Sequence, residues 1–522
     1  MSQKIFQNPI MPGFYPDPSM CRVGDDYYLV TSTFSYFPGV PIFHSTDLVH
    51  WEQIGNVLDR REQLELMGAE MSQGIFAPTI RYHDGTFYMI TTNVSSNGNF
   101  LVTATNPAGP WSNPYNLGSA GIDPSLFFDD DGKCYYCGTQ ERREGARYFG
   151  DNEIYIQELD LNTMKLVGES YPAWHGALRN VVWPEGPHLY KKDGWYYLLI
   201  SEAGTAHEHA ISIARSKSLF KPFEGHKGNP IMTHRHLGYE YPIVNVGHPD
   251  IVETQNGEWW MVLLASRPYG GYFRNLGRET FLVPFIWENG WPVVNPGKGI
   301  VENEGIAPNL PEQFVAPTKE KEDFDRDTLP LHFMYLRNPQ MENYSLRERP
   351  GYLRMKLAKE TITERLSPSF VCIRQQHMRF IAETSLDFSP QNSSEAAGLV
   401  INQSQDANLQ LLVGTDDQVT ILQVIRVENG KMTILKTASL DKFYSKIALR
   451  ITANGQNLTL SYLLEDNEKL LLSGIDARFL STDRAGGFVG NTIGIYCSSN
   501  GQESHTVCDF DYLLYKEKTN CK

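Results

Sequence analysis

The chain has 522 residues, more than one hydrophobic core serves, so two domains are expected. Hydrophobic residues at 41% and charged residues at 20% exclude a disordered chain, and a net charge of −15 without any Lys/Arg block excludes nucleic acid or an anionic membrane as partner. Seven cysteines at scattered positions form no disulfide framework.

The first stretch, MSQKIFQNPIMPGFYPDPS, has no apolar run, and no later segment is apolar for long enough to span a bilayer. A soluble protein of the cytoplasm or periplasm is expected. At Asp17 a pattern begins, DPSMCRVGDDYYLVTST, that returns as APTIRYHDGTFYMITTN from Ala77, DPSLFFDDDGKCYYCGT from Asp123, EGPHLYKKDGWYYLLIS from Glu185 and HPDIVETQNGEWWMVLL from His248. Each copy runs from a distinctive residue through Pro into an apolar strand, then a turn, then an aromatic pair opening a second strand. The turns are Gly-Asp-Asp, Asp-Gly three times and Asn-Gly, residues that tolerate the positive φ of tight hairpins.

Further strand-like runs follow, such as VPIFHSTDLVHWEQIG, NFLVTATNPAGPWSN, EIYIQELDLNTMKLVG and HAISIARSKSLFKPFEG. The five starting residues are 60, 46, 62 and 63 positions apart, room for a four-stranded antiparallel sheet and its loops. Five copies predict a five-bladed β-propeller. Cys134 and Cys137 form a C-x-x-C inside the third hairpin with no second pair at zinc spacing, so they read as strand residues.

In a propeller the innermost strands begin at one end of a central channel, so equivalent positions converge. Here that set is Asp17, Ala77, Asp123, Glu185 and His248. One acid before Pro would be an ordinary turn cap, but three acids drawn to one axis repel one another without a use to offset it. Two carboxyl groups flanking a glycosidic bond make a hydrolytic apparatus: one protonates the leaving oxygen and the other activates water. A third anion would keep the acid of the pair protonated near neutral pH.

The segments NPIMPGFYPDPSMCRVGDDYYLVTSTFSYFPGVPIFHSTDLVHW, GIFAPTIRYHDGTFYMITTN, GIDPSLFFDDDG, EGPHLYKKDGWYYLLISEAG, GHPDIVETQNGEWW and LGRET resemble, in order, the signatures of glycoside hydrolase family 43. That resemblance implies that Asp17 is the general base, Asp123 the pKa modulator, Glu185 the general acid, and that the anomeric configuration is inverted. It implies a substrate-contacting role for Arg278, aromatic walls at Phe34 and Phe76, and a weak structural calcium near His248, with no cofactor required for the chemistry. Many relatives have Trp where Phe76 stands. Trp183 is read either as an outer stacking surface or as a propeller core residue.

After ENGWPVVNPGKGIV the Pro- and charge-rich stretch to KEKEDF reads as a linker between domains at 1–315 and 322–522. The second domain alternates with period two in SFVCIRQQH, MRFIAETSLDF, AAGLVINQS, NLQLLVGT, QVTILQVIR, KIALRITAN and TIGIYCSS, which predicts an antiparallel β-sandwich. It resembles the concanavalin-like accessory domain of family 43 xylosidases and arabinofuranosidases. Those domains lend a loop to the active pocket, and AGGFVGN around Phe488 is the candidate; a carbohydrate-binding module or simple structural support is the alternative. The expectation is an exo-acting enzyme that releases terminal α-L-arabinofuranosyl or β-D-xylosyl units from hemicellulose oligosaccharides. The forms STFSYFPGVPIF and GIFAPTIRYH lean it to arabinofuranose. A non-catalytic sugar-binding propeller and an endo-arabinanase are the alternatives, and assembly into a homo-oligomer is left open.

Overall fold

The computed structural model describes residues 4–416 and 419–519. Regular structure among them is almost entirely β-strand, with one α-helical turn, Thr482–Ala485, and three short 3-10 turns. Five antiparallel sheets, four of four strands and the fourth of five, follow one another in sequence order, as the repeat predicts. Their innermost strands are Ser19–Val23, Ile75–His83, Ile122–Phe128, Glu185–Lys192 and Val244–Glu253. The hairpins form for the reason read in sequence: Asp84 and Gly85 have φ of 44° and 80°, Asp193 and Gly194 48° and 72°, the doubly left-handed geometry that matches strand twist. Blade two ends on a two-residue strand, Tyr115–Asn116, and the outer edge of blade four is split between Glu224–Gly225 and Met232–Thr233.

Hydroxyls at one repeat position stitch successive blades together. Ser32 Oγ accepts the Ala77 N–H at 2.7 Å, Thr139 Oγ1 donates to Pro184 O at 2.6 Å, and Ser201 Oγ accepts the His248 N–H. Deeper along the axis, buried Asp250 of blade five holds Arg81 of blade two at 2.8 and 3.2 Å and Ser19 of blade one at 2.6 Å. The Arg81 Nη2 continues to His188 Nδ1 of blade four at 2.9 Å. Such a fully paired buried network rigidifies the ring on which the site is mounted. The ring closes where Asn8 exchanges two 2.9 Å hydrogen bonds with the Leu282 backbone of blade five.

Cys134 and Cys137 lie on one strand three residues apart, so their thiols point to opposite faces and join different cores. Burial pushes the Cys134 thiol up to about 12, which suits neither metal ligation nor thiolate chemistry.

The second domain is a sandwich of two eight-stranded sheets around a core that includes Phe324, Leu399, Leu411, Leu449 and Phe510. Its first strand, Lys321–Glu322, pairs with the last, Val507–Glu517. One strand crosses the division between domains. Tyr36–Phe37, from blade one, adds to the edge of a sandwich sheet against Met334–Leu336. A dipeptide carries no periodicity, so sequence alone cannot reveal this strand. The outer face of that sheet packs on the propeller through Phe14, Phe34, Tyr36, Met71, Phe370 and Val489. Each of these buried large side chains contributes about 1.5–3 kcal/mol, which fixes the sandwich against the end of the propeller where the acids lie.

Candidate active site

The acids sit where each innermost strand begins, in a shared backbone conformation. Asp17, Ala77, Asp123 and His248 have φ of 55°, 31°, 54° and 48°, each just before a proline. Non-glycine residues occupy this region only when their surroundings enforce it. In blade four the residue before proline, at φ 57°, is Gly186. The repeat equivalence expected for Glu185 is therefore off by one: Gly186 is the counterpart of the other four, and Glu185 precedes it. The register shift between Glu185 and His188 matches those at Phe76/Thr79 and Ile122/Ser125, so Glu185 stands where Phe76 and Ile122 stand in blades two and three. A Cβ at Gly186 would come within 3.0 to 3.2 Å of the His248 ring, so a glycine there admits the imidazole. Its freed N–H donates to Asp123 Oδ2 at 3.0 Å.

Asp17 is buried and surrounded by donors. Arg278 Nη1 reaches Oδ1 at 2.8 Å, Nη2 lies 3.5 Å from Oδ2, Ser32 Oγ donates to Oδ2 at 2.6 Å, and His248 Nδ1 stands 3.8 Å from Oδ1. Burial opposes its charge, but Arg278, His248 and Ser32 outweigh burial and hold the carboxyl below the usual range.

Glu185 has the opposite surroundings. Burial, then the anionic Asp123 and Asp17, push it well above the usual range, with Arg278 opposing. Its side chain is 18% exposed. Asp123 is also raised, by burial first and by Asp17, against the pull of His248 and the Gly186 N–H. The three acids thus separate into one held ionised and two held towards the neutral form.

Arg278 joins Asp17 to the remaining expected residues, with Phe34 at the centre of the aromatic group. Its ring lies 5.2 Å from Phe76, edge to face, and 6.3 Å from Phe488 of the sandwich, stacked. The Arg278 guanidinium covers Phe34 and Phe488 at 5.6 and 5.8 Å. A cavity of about 230 Å³ is lined by Trp183, Thr205, Ser266, Arg274, Arg278 and Phe488. That is smaller than the roughly 300 Å³ at which pockets accept drug-sized ligands, and suits one sugar ring. Trp183 is half-buried, between the backbones of Gly150 and Gly204, and Phe149, 85% exposed, meets its edge at 5.4 Å. It is a rim residue rather than a core one.

Several participants carried no sequence signal of their own. Phe488 is latched in place: its N–H donates to Ser72 Oγ at 2.8 Å, and Asp483 takes Arg274 through Nε at 2.9 Å, Nη2 at 2.7 Å and the backbone N–H at 2.7 Å. Ser32 and Ser201 could have been found by aligning the copies on proline, which places their hydroxyls in one column.

His248 has Asp17 as its near carboxylate, and Asp17 is already paired with Arg278. Among the described residues no group of three or more His, Cys, Asp or Glu side chains is set to hold a metal ion. Calcium takes six to eight oxygen ligands. The protein's own donors do not build such a cage, and no step below passes through calcium.

The profile described as Glycosyl hydrolases family 43 matches residues 6–292, and that of the Beta xylosidase C-terminal Concanavalin A-like domain matches 321–516. The chain is 54% identical over 520 residues to a xylosidase/arabinosidase of Butyrivibrio fibrisolvens, covering 98% of this chain and 99% of that one. It is 38% identical over 525 residues to a non-reducing end alpha-L-arabinofuranosidase of Bacteroides ovatus, covering 99% and 96%. Among solved structures, a xylan beta-1,4-xylosidase from Bacillus halodurans superposes with TM-score 0.92 at 38% identity, over 98% of this chain and 100% of that one. The chain belongs to glycosyl hydrolases family 43 and is an exo-acting glycosidase.

Proposed function

We propose that this enzyme removes terminal α-L-arabinofuranosyl and β-D-xylosyl units from the non-reducing ends of hemicellulose oligosaccharides with inversion, leaning to arabinofuranose. In this reading Asp17 is the base, Glu185 the acid and Asp123 the group that tunes the acid. The observation that carries it is the opposed placement of Asp17, held towards its ionised form by Arg278, and Glu185, held towards its protonated form by burial and the neighbouring Asp123 and Asp17, with Arg278 lining a cavity of one-sugar size.

The ionised Asp17 takes a proton from water as the water attacks the anomeric carbon from one face. Glu185 gives its proton to the departing glycosidic oxygen on the other. Burial lets each group act without water competing for it, and Arg278 keeps Asp17 ionised until it is needed. Phe488 walls the cavity on the sandwich side, which supports action at chain ends and argues against an endo-acting groove. Phe149 and Trp183 give the leaving-group side an aromatic platform.

The names of the relatives support both pentoses, which present similar hydroxyl patterns. Rates on paired aryl α-L-arabinofuranoside and β-D-xyloside substrates test the assignment. Turnover of both, with the arabinofuranoside ahead, is expected. Turnover of neither, or release only from within long chains, would overturn it.

A further inference from the structure

Beside Glu185 lies a histidine that the mechanism above leaves unused. His209 stands just before the third strand of blade four, Ala210–Ser216, and is fully buried. Its Nδ1 is 3.1 Å from the carbonyl oxygen of Asn245. A carbonyl can only accept, so Nδ1 carries the hydrogen and Nε2 presents a lone pair. That Nε2 is sealed from solvent and has no hydrogen-bond partner. The Glu185 Oε1 stands 4.0 Å from it.

The placement is built into the backbone. A Cβ at Gly247 would lie 2.1 to 2.4 Å from the His209 ring, so this position must be glycine for the imidazole to fit. Gly247 and Gly186 thus each make room for one imidazole, His209 and His248. Burial first, then His248 and Arg278, lower the His209 pKa to about 3, so the ring stays neutral wherever the enzyme is folded and active.

A buried acceptor without a donor is costly, and the Glu185 carboxyl in its protonated form stands 4.0 Å away with a hydrogen to supply. A shift of about 1 Å in a flexible glutamate brings 4.0 Å to hydrogen-bond distance. An ionised Glu185 would instead face the lone pair and be repelled. We propose that His209 is a positioning residue for the general acid: its Nε2 lone pair receives the Glu185 carboxyl hydrogen in the resting site and so favours the protonated acid. His209 neither gains nor loses a proton in the cycle; when substrate binds, Glu185 turns its proton to the glycosidic oxygen. The inference rests on the reading of Glu185 as the acid.

The charged groups facing Glu185 are Asp123 and Asp17, which raise it, and Arg278, which lowers it. His209 itself faces His248, Arg278 and Asp17. His209 also helps to lower Asp17, so a basic limb that moves while the acidic limb stays in place is what assigns the effect to Glu185.

His209→Asn keeps an amide donor near the Nδ1 position, for Asn245, and removes Nε2. His209→Gln returns an amide oxygen near the Nε2 position. For His209→Asn the basic limb of kcat/KM should move down by roughly half to one pH unit. Its kcat should fall about tenfold on a natural disaccharide but within about twofold on a dinitrophenyl glycoside, because only the former needs the proton. KM should hold within about twofold, and His209→Gln should recover most of the loss. An unmoved basic limb, or equal losses on both substrates with Gln no better than Asn, would overturn the proposal.

Should His209→Asn melt, the wild-type enzyme supplies the second measurement. The ¹⁵N shift of His209 Nε2 should step at the pH of the basic limb while Nδ1 stays protonated, and a flat shift would also overturn the proposal. Glu185→Ala on the same two substrates separates the levels. Equal losses there remove the acid itself, whereas a leaving-group dependence present in Glu185→Ala and absent in His209→Asn removes only the role of His209.

Discussion

Replacing Arg278 by Gln should move the acidic limb of the pH profile upward. The guanidinium donates to Asp17 at 2.8 Å, with a second nitrogen at 3.5 Å, and it is the strongest influence opposing burial of that carboxyl. Two unit charges about 4 Å apart interact by about 4 kcal/mol at an effective dielectric of 20, an upper bound for the pair. The net value of a charge-assisted hydrogen bond is nearer 1.5–3 kcal/mol. At 1.36 kcal/mol per unit, Asp17 should rise by roughly one to two pKa units.

The sign follows from the role. The lowered pKa of Asp17 keeps it ionised above that value, and the ionised form is lost as pH falls through it. Raising it moves the acidic limb up by the same roughly one to two units, with the basic limb, set by Glu185, left in place or slightly raised. Arg278→Lys, which keeps a charge but loses the fork, should fall between. The assay is kcat/KM against pH on an aryl glycoside. A uniform loss of kcat/KM with an unmoved acidic limb would show that Arg278 serves only to bind substrate.

Other substitutions test other parts of the site. Phe488→Ala opens the sandwich-side wall against Phe34 and Phe76 and should raise KM on aryl glycosides several-fold, with melting temperature little changed because the ring is 39% exposed. Asp483→Ala leaves Arg274 buried without its carboxylate, and should cost about 3–5 kcal/mol of stability and raise KM through release of the Phe488 loop; thermal melts and kinetics read the two effects separately. Glu185 has a folded pKa raised above its unfolded value, so its contribution is whole below about 4.5 and lost as pH rises through the folded value. Glu185→Gln should therefore melt on the order of 1–3 °C above wild type at alkaline pH, the difference closing below the unfolded value.

The propeller was legible because its hairpins are local: a tight turn, Asp-Gly in three copies, and an aromatic pair recur in each copy, and each blade is built from neighbours in sequence. The sandwich was legible for its long alternating strands, such as Ala396–Ser404 and Lys446–Asn454, but exposed edge strands such as Lys431–Ser439 hid in polar text. The acids were found, but one was placed a register out. Alignment on the acidic residue hid the proline column, and only the backbone shows that Gly186, with room for His248, is the true counterpart of Asp17. His209, Arg274 and Asp483 were not legible, because each is defined by a partner far away in sequence. Phe488 was singled out only through resemblance, and its stacking on Phe34 joins residues more than four hundred positions apart.

The central claim is that Glu185 delivers a proton and Asp17 activates water. Glu185→Ala compared on a natural disaccharide and on an activated aryl glycoside tests it most directly. A loss at least about a hundredfold greater on the disaccharide is predicted, since only that leaving group must be protonated. Equal losses on the two substrates would contradict the account.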